Sequence, residues 1–194
     1  MKLSDVDIER AIERGEIGID PLPPEESKGS FSIDLTLADR FRVFDHSQHP
    51  FIDLANSRSV YAMSEKLMLD VAVKPDEAFY LHPGELALGV TRERVRLPDT
   101  IVGWLDGRSS LARLGLMVHI TAHTIDPGWD GQITLEFYNS GRFPLALRPG
   151  MRICALSFEP LSSPTSRPYT AKKGAKYANQ DGPLASRIDR DKDE

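Results

Sequence analysis

Cysteine is nearly missing from this chain of 194 residues, in which Cys154 stands alone. A single cysteine excludes an internal disulfide bond and any cysteine-rich metal site. Because Cys154 lies in the apolar run Ile153-Cys154-Ala155-Leu156, we expect it to be a buried thiol without a chemical role.

Long apolar runs are missing as well. No stretch approaches the roughly 20 apolar residues that a membrane span requires. The N-terminal sequence MKLSDVDIERAIERGEIGI is interrupted by charges, which argues against a signal peptide. We therefore expect a cytoplasmic protein that does not contact a membrane.

The chain also lacks an excess of positive charge. It carries 24 lysines and arginines against 29 aspartates and glutamates, a formal net charge of -5. Since duplex binding depends on basic side chains that neutralise phosphates, nucleic acid is not the expected partner. The length and a hydrophobic fraction of 40% suit one globular domain with a substantial core.

Several enzyme motifs are missing too. The sequence contains no glycine-rich phosphate loop ending in Lys-Ser/Thr, no G-x-G-x-x-G, no G-x-S-x-G elbow and no zinc deaminase signature. His119 and His123 are four residues apart in a β-branched segment that predicts a strand. On a strand they would lie roughly 13 Å apart, too far for one ion, so we expect neither zinc nor another metal held by the protein itself.

What is present is mainly strand-forming sequence. Apolar or alternating runs predict strands at 30–37, 41–44, 51–54, 67–73, 78–81 and 133–138. Two similar turns, Pro83-Gly84 and Pro149-Gly150, each lead into a further apolar strand. Many short strands with only two short helices predict an all-β sandwich or barrel.

The first predicted helix lies at the N-terminus. Ser4 is a suitable N-cap with Asp7 three residues later, and Leu3 and Ile8 occupy the positions of a hydrophobic staple. Gly15 is placed to end this helix.

The sequence after Ser162 is polar and marked by prolines, so it cannot bury a core of its own. We divide the chain into one β domain at 1–162, which includes the N-terminal helix, and a C-terminal arm at 163–194. The terminal sequence SRIDRDKDE is expected to be disordered.

The densest polar chemistry lies between Gly103 and Gly141. Gly107-Arg108-Ser109-Ser110 is a glycine turn that precedes a short helical run at 111–116. Unpaired N–H groups at a helix start, a forked guanidinium and a capping serine, Ser109 or Ser110, are typical of an anion site, and Gly115 is placed to end the helix. The alternative is a plain capped helix with a surface arginine.

Glu136 is the sharper signal, because it is a carboxylate in the middle of an apolar strand. Burying a carboxylate is costly unless it is paired, and a carboxylate in such a setting is a candidate for proton transfer. Strand alternation places Thr134, Glu136 and Tyr138 on one face and Leu135 and Phe137 on the other. The alternative is that the polar face is simply exposed to solvent.

Four segments resemble the motifs of the dCTP deaminase family: LDGRSSLARLGL at 105–116, HITAH at 119–123, IDPGW at 125–129 and LEFYN at 135–139. The likeness covers nearly the whole chain, from Met1 to the arm motif KYxNQ at 176–180. It implies a mainly β fold, a distorted β-barrel or jelly roll of the dUTPase-like type. It also implies a homotrimer with active sites between subunits.

The resemblance further implies a reaction. Members convert dCTP and water to dUTP and ammonia, which feeds dUMP and dTTP synthesis, and dTTP inhibits them by favouring an inactive arrangement of the loop at 119–123. The protein holds no catalytic metal, and Mg2+ is carried by the nucleotide triphosphate.

The same resemblance assigns roles to individual residues. The catalytic group is Glu136 as the proton-transferring carboxylate, assisted by Ser109, Arg113 and the backbone carbonyl of Ala122. The substrate-binding residues are Arg108, Ser109, Ser110, Leu111, Ala112, Arg113, Asp126, Thr134, Leu135, Glu136, Tyr169, Lys176 and Gln180. Within this set Arg108, Ser109 and Ser110 face the phosphates, Asp126 the 3′-hydroxyl and Thr134 the pyrimidine, while the last three close from the arm.

One position departs from the family pattern, because Thr124 stands where related enzymes often carry arginine. Three functions stay open at this stage: a monofunctional dCTP deaminase, a hydrolase such as a dUTPase or a bifunctional enzyme that forms dUMP, and a nucleotide-binding regulator without catalysis. Glu136 has no purpose in a pure dUTPase, and an intact set of Glu136, Ser109 and Arg113 argues against the regulator.

Overall fold

The computed structural model describes residues 1–45, 47, 51–54 and 67–190, with the side chain of residue 189 left out. The described helices are α1 (Asp5–Glu13) and α2 (Ser109–Ala112), and short 3-10 turns lie at Glu25–Ser27, Tyr169–Ala171 and Ile188–Arg190. The described strands are β1 (Gly18–Asp20), β2 (Ser32–Thr36), β3 (Arg40–Phe44), β4 (Met68–Ala72), β5 (Phe79–Leu81), β6 (Leu86–Arg96), β7 (Ile101–Gly107), β8 (Leu116–Met117), β9 (Thr124–Ile125), β10 (Asp130–Asn139), β11 (Leu145–Leu147) and β12 (Arg152–Pro160).

Antiparallel pairing organises these strands into two larger sheets and one small one. The first sheet has the order β4-β3-β6-β10-β8, and β1 also pairs with β6. The second has the order β2-β12-β7-β9, while β5 and β11 form a separate pair. The expected mainly β fold is therefore confirmed.

Alternation along the strands explains how the two sheets share one core. Burial in β10 alternates without a break, so that Leu135 and Phe137 are fully buried while Thr134 and Glu136 face outward. Leu156 and Phe158 of β12 enter the same core from the second sheet. The predicted division of β10 into an apolar and a polar face is confirmed, and it leaves the polar face available for a site.

Helix α1 begins where the sequence predicts. The hydroxyl of Ser4 accepts a hydrogen bond from the backbone N–H of Asp7, and Gly15 ends the helix with a φ of +69°. Ile8 is buried against the core, so the helix packs through the apolar face that its sequence presents.

We expect Ser4→Ala to lower the free energy of unfolding by about 1 kcal/mol, because the substitution removes the capping acceptor of α1. Urea denaturation measures this change. Ser30→Ala is the matched control, since Ser30 is also exposed and lies beside α1 through its backbone alone. Equal stability of the two variants would contradict the assigned cap.

Three details of the sequence prediction are wrong. Residues 51–54 form no strand and are exposed, so this apolar run does not belong to the core. The strand expected at 30–37 begins only at Ser32, so Phe31 precedes it and is 49% exposed, while Ile33 and Leu35 are buried. The helical run expected at 111–116 is shifted towards the N-terminus, since α2 ends at Ala112 and Leu116 already belongs to β8.

Two further expectations were a buried thiol at Cys154 and the absence of a membrane span. Cys154 is fully buried, and burial, followed by the charges of Glu93 and Asp34, raises the pKa of its thiol. This environment suits an unreactive thiol. No helix in the described part of the chain has the length and apolar character needed to cross a membrane.

Candidate active site

A cavity of about 540 Å³ lies over the polar face of β10. Its wall includes six of the residues that the sequence analysis assigns to the site: Ala122, Asp126, Thr134, Glu136, Tyr169 and Gln180. These residues come from three parts of the chain: strand β10, the loop before it and the C-terminal arm. The fold therefore brings together groups that are up to 58 positions apart, from 122 to 180 in the sequence.

Glu136 lies on this wall and is held by two hydrogen bonds to one loop. Its backbone N–H donates to the carbonyl of Val118 at 3.1 Å, and its carboxylate Oε2 accepts from the backbone N–H of Ile120 at 3.1 Å. Glu136 is half-buried and lines the cavity, as does Ala122. A carboxylate that is held by a hydrogen bond on the wall of a cavity is suited to proton transfer.

The segment 118–123 corrects the expectation of a strand. It is an irregular loop, and the rings of His119 and His123 have centroids 5.4 Å apart, well below the separation expected on a strand. The ring of His123 also lies 5.4 Å from Trp104, so the loop rests on an aromatic surface. Among the described residues, no three His, Cys, Asp or Glu side chains cluster in a way that could hold a metal ion.

Thr134 and Leu135 differ in a way that follows from alternation. The hydroxyl of Thr134 lines the cavity and accepts a hydrogen bond from Nε2 of Gln180. Leu135 is fully buried in the core, so its side chain does not reach the cavity. The substrate contact assigned to Leu135 can involve its backbone alone.

Asp126 lies in a tight turn that the arm crosses. Gly128 adopts a φ of +79°, and a Cβ there would stand 2.5 Å from Cβ of Pro168. Glycine is therefore required both by the turn and by the close approach of the arm. The turn leaves the Asp126 carboxylate exposed at the rim of the cavity.

Tyr169 fixes the start of the arm. Its ring lies 5.2 Å from that of Trp129, and its hydroxyl accepts from the backbone N–H of Tyr177 at 3.1 Å. Burial raises the pKa of Tyr169, which keeps the hydroxyl protonated and able to act in hydrogen bonding. Trp129 was not predicted as a site residue, although the apolar alternation after the Pro-Gly turn was a usable signal.

The arm continues with Lys176, whose side chain is not on the cavity wall of this chain. Its carbonyl accepts from Nη1 of Arg187, and the backbone N–H of Arg187 donates to the hydroxyl of Tyr177. The described part of the terminal sequence thus packs on the arm and forms a 3-10 turn at Ile188–Arg190, where disorder was expected. Residues 191–194 lie outside the described part.

The predicted phosphate motif lies away from the cavity. None of the residues from Arg108 to Arg113 lines it in a single chain, and most of this segment is exposed. Helix α2 begins at Ser109 with Arg108 at the N-cap position and no side-chain capping bond, so the expected serine cap is wrong. Arg108 Nε forms an ion pair with Asp34 at 3.0 Å, and its Nη1 donates to the carbonyl of Arg152 at 3.2 Å.

Thr124 lies on the cavity wall. It belongs to the short strand β9, where it faces Trp104 of β7. The departure from the family pattern therefore falls on a residue that a ligand in the cavity can reach, and not on a remote loop.

These observations define a mainly β protein with a cavity whose wall carries the carboxylates of Asp126 and Glu136. A family model described as dCTP deaminase-like matches residues 2–161. The chain is 61% identical over 189 residues to a dCTP deaminase of Rhodospirillum rubrum, with 97% of each chain covered. It is 58% identical over 193 residues to a dCTP deaminase of Pectobacterium atrosepticum, which covers 98% of this chain and 100% of that protein. The chain belongs to the dCTP deaminase family.

A solved structure supports the fold. The 2′-deoxycytidine 5′-triphosphate deaminase from Agrobacterium tumefaciens matches 81% of this chain with a TM-score of 0.62 at 19% identity. The match covers 48% of that protein, so this chain spans about half its length.

Proposed function

We propose that the protein is a monofunctional dCTP deaminase that acts in the cytoplasm and converts dCTP and water to dUTP and ammonia. The observation that carries this proposal is the position of Glu136: a half-buried carboxylate that is anchored through Ile120 and lines a cavity of about 540 Å³ together with Ala122. Membership of the family supports it.

In the proposed reaction Glu136 takes a proton from a water molecule that attacks C4 of cytosine. As the new C4–O bond forms, Glu136 passes this proton to the ring nitrogen N3. Glu136 then takes the proton of the new C4 hydroxyl and passes it to the amino group, so the C4–N bond breaks, ammonia leaves, C4 becomes a carbonyl and the carboxylate is regenerated. Ala122 lines the same cavity, and its backbone carbonyl would accept a hydrogen bond from the attacking water.

The nucleotide contacts follow from the positions of the other wall residues. The exposed carboxylate of Asp126 would accept from the 3′-hydroxyl, and Thr134 with Gln180 would contact the pyrimidine edge. Tyr169 and the arm would cover the triphosphate, together with Lys176.

The segment from Arg108 to Arg113 completes the site only if a second subunit supplies it. The segment is exposed and lies off the cavity of its own chain, while Leu114 next to it is 64% exposed. We therefore include in the proposal a homotrimer in which Ser109 and Arg113 of one subunit face Glu136 of another, with the Arg108 side of the segment near the phosphates.

Magnesium enters the proposal with the substrate. In the proposal the ion is held mainly by oxygens of the triphosphate. Bound in that way, Mg2+ would neutralise phosphate charge, while the chemistry at C4 stays with Glu136.

Inhibition by dTTP is the last part of the proposal. The loop 118–123 carries both the N–H that fixes Glu136 and the carbonyl of Ala122, so an altered loop would disable both groups at once. A pyrimidine that favours the altered loop would inhibit without reacting.

A product assay tests the proposed reaction. Purified protein is incubated with dCTP and Mg2+, and ammonia, dUTP, dUMP and pyrophosphate are quantified together. Ammonia with an equal amount of dUTP supports the monofunctional deaminase. Ammonia with matching dUMP and pyrophosphate would mean the bifunctional enzyme, and no ammonia at all would overturn the proposal.

A further inference from the structure

Strand β6 contains an irregularity opposite the site. Three residues of β6 separate Val90 from Arg94, whereas Ile133 alone separates their partners Thr134 and Gln132 on β10. The hydroxyl of Thr91 spans this gap: it accepts from the N–H of Ile133 at 3.0 Å and donates to the carbonyl of Glu93 at 2.8 Å. The ladder is interrupted here, so the backbone carbonyls in the irregular segment need side-chain partners.

Gln132 supplies those partners. Its Nε2 donates to the carbonyl of Thr91 at 2.9 Å and to that of Arg92 at 3.3 Å. Its Oε1 accepts from the backbone N–H of Gly182 at 2.8 Å and from Nη2 of Arg40 at 2.8 Å. If the amide were flipped, its NH2 group would face the donors of Gly182 and Arg40, and its oxygen would face the carbonyls of Thr91 and Arg92. These four partners therefore fix the orientation of the Gln132 amide.

The same residue holds the arm through its backbone. The N–H of Gln132 donates to the carbonyl of Gln180 at 3.0 Å, and the N–H of Asn179 donates to the carbonyl of Asp130 at 3.0 Å. The arm approaches β10 so closely that a Cβ on Gly131 would stand 2.9 Å from the backbone nitrogen of Gln180. Between these contacts Gln180 is only 3% exposed, and its Nε2 donates a hydrogen bond to the hydroxyl of Thr134 at the cavity wall.

We propose that Gln132 is a positioning residue that anchors the C-terminal arm to β10 and thereby places Gln180 against the cavity. Gln132 does not line the cavity, so it acts on a nucleotide through Gln180 and not by contact. This inference rests on the proposed function for its effect on substrate, while the anchoring itself does not depend on it.

A second contact between the arm and the barrel is the ion pair of Arg40 with Asp181 at 2.7 Å. Its side chains are 43% and 77% exposed, and ion pairs as exposed as this contribute little. Three of the four hydrogen bonds of the Gln132 amide are part-buried, and two of the four satisfy carbonyls of the irregular strand. We therefore assign the larger share of the anchoring to the amide, which reaches the arm at Gly182, and the smaller share to the exposed ion pair.

Gln132→Leu tests the anchor because leucine keeps a similar volume and removes the whole amide. We expect KM for dCTP to rise about tenfold, since the arm must be ordered when the nucleotide binds, with kcat within about twofold of wild type. Hydrogen exchange of the arm peptide spanning 177–187 should accelerate in the ligand-free variant.

Two matched variants show whether the effect belongs to the amide. Lys173→Gln changes an exposed residue of the arm and should leave KM and exchange unchanged. Asp181→Asn removes the exposed ion pair and should change KM by less than about threefold.

Unchanged KM and unchanged exchange in Gln132→Leu would overturn the inference, and so would a fall in kcat at constant KM. If that variant does not fold, hydrogen exchange of the wild-type protein still tests the anchor. Protection of the Gly182 amide in the absence of nucleotide is required, and exchange at the rate of a free chain would overturn the anchor. Because exchange needs no substrate, its failure is distinguishable from a wild-type enzyme that releases no ammonia.

Discussion

Glu136→Gln should lower the rate of ammonia release from dCTP by roughly 10²–10⁴-fold, the range in which a positioned acid or base contributes. Glutamine keeps the size of the side chain and its acceptor for the N–H of Ile120, so the anchoring contact at 3.1 Å survives. What glutamine cannot do is take a proton from water. We therefore expect a large loss in kcat with a much smaller change in KM, measured by steady-state ammonia release.

Glu13→Gln is the control for this substitution, because Glu13 is exposed at the end of α1, far from the cavity wall. It should retain wild-type rates. Equal thermal denaturation midpoints of the two variants would show that the loss reflects chemistry and not unfolding. A Glu136→Gln enzyme that keeps more than about a tenth of the wild-type kcat would contradict the role given to this carboxylate.

Mixing two inactive variants should restore activity. If Arg113 of one subunit serves Glu136 of another, Arg113→Ala and Glu136→Gln disable the same site from opposite sides. In trimers with randomly mixed subunits, the subunit that supplies Glu136 has it intact with a probability of one half. The neighbouring subunit that supplies Arg113 has it intact with the same probability, so a quarter of the sites contain both groups. The mixture should therefore recover about a quarter of the wild-type rate.

The measurement is made on subunits mixed in equal amounts under denaturing conditions and refolded together. Each variant refolded alone, and the two variants mixed after refolding, provide the controls. No recovery in the co-refolded sample, with trimers verified by light scattering, would mean that Arg113 acts on the cavity of its own chain. The exposed position of the segment from Arg108 to Arg113 in one chain is the reason to expect recovery.

The alternating pattern of β10 made both the strand and its functional face predictable. Leu135 and Phe137 are apolar at every second position, so the sequence already determined that Glu136 would point away from the core. The same period-two argument failed at Phe31, because the strand begins at Ser32, two residues after its expected start at Ser30. The ring of Phe31 instead lies 5.5 Å from Nζ of Lys2.

The loop 118–123 was not predictable in the same way. Its β-branched residues favour a strand locally, yet the segment is held by long-range contacts. The carbonyl of Val118 accepts from Glu136, and the carbonyl of His123 accepts from Leu105 at 2.8 Å. Tertiary hydrogen bonds therefore override local propensity here, and they also bring His119 and His123 together.

The arm shows a second limit of reasoning from sequence. Its polar composition predicts a flexible segment, because it cannot form a core by itself. Its contacts with the barrel are instead long-range, and those of the proposed anchor Gln132 involve residues between 40 and 182. Spacing along the chain carries no signal for such a contact set, and Gln132 was absent from the predicted site for that reason.

The most direct test of the account is the position of the water oxygen in the product. The wild-type enzyme is allowed to act on dCTP and Mg2+ in water enriched in oxygen-18, and the product nucleotide is fragmented by mass spectrometry. Attack at C4 predicts one heavy oxygen in the uracil base, none in the phosphates, and loss of the label incorporation in Glu136→Gln. Heavy oxygen in a phosphate of the product, with an unlabelled base, would contradict the account and assign hydrolysis at phosphorus to this cavity.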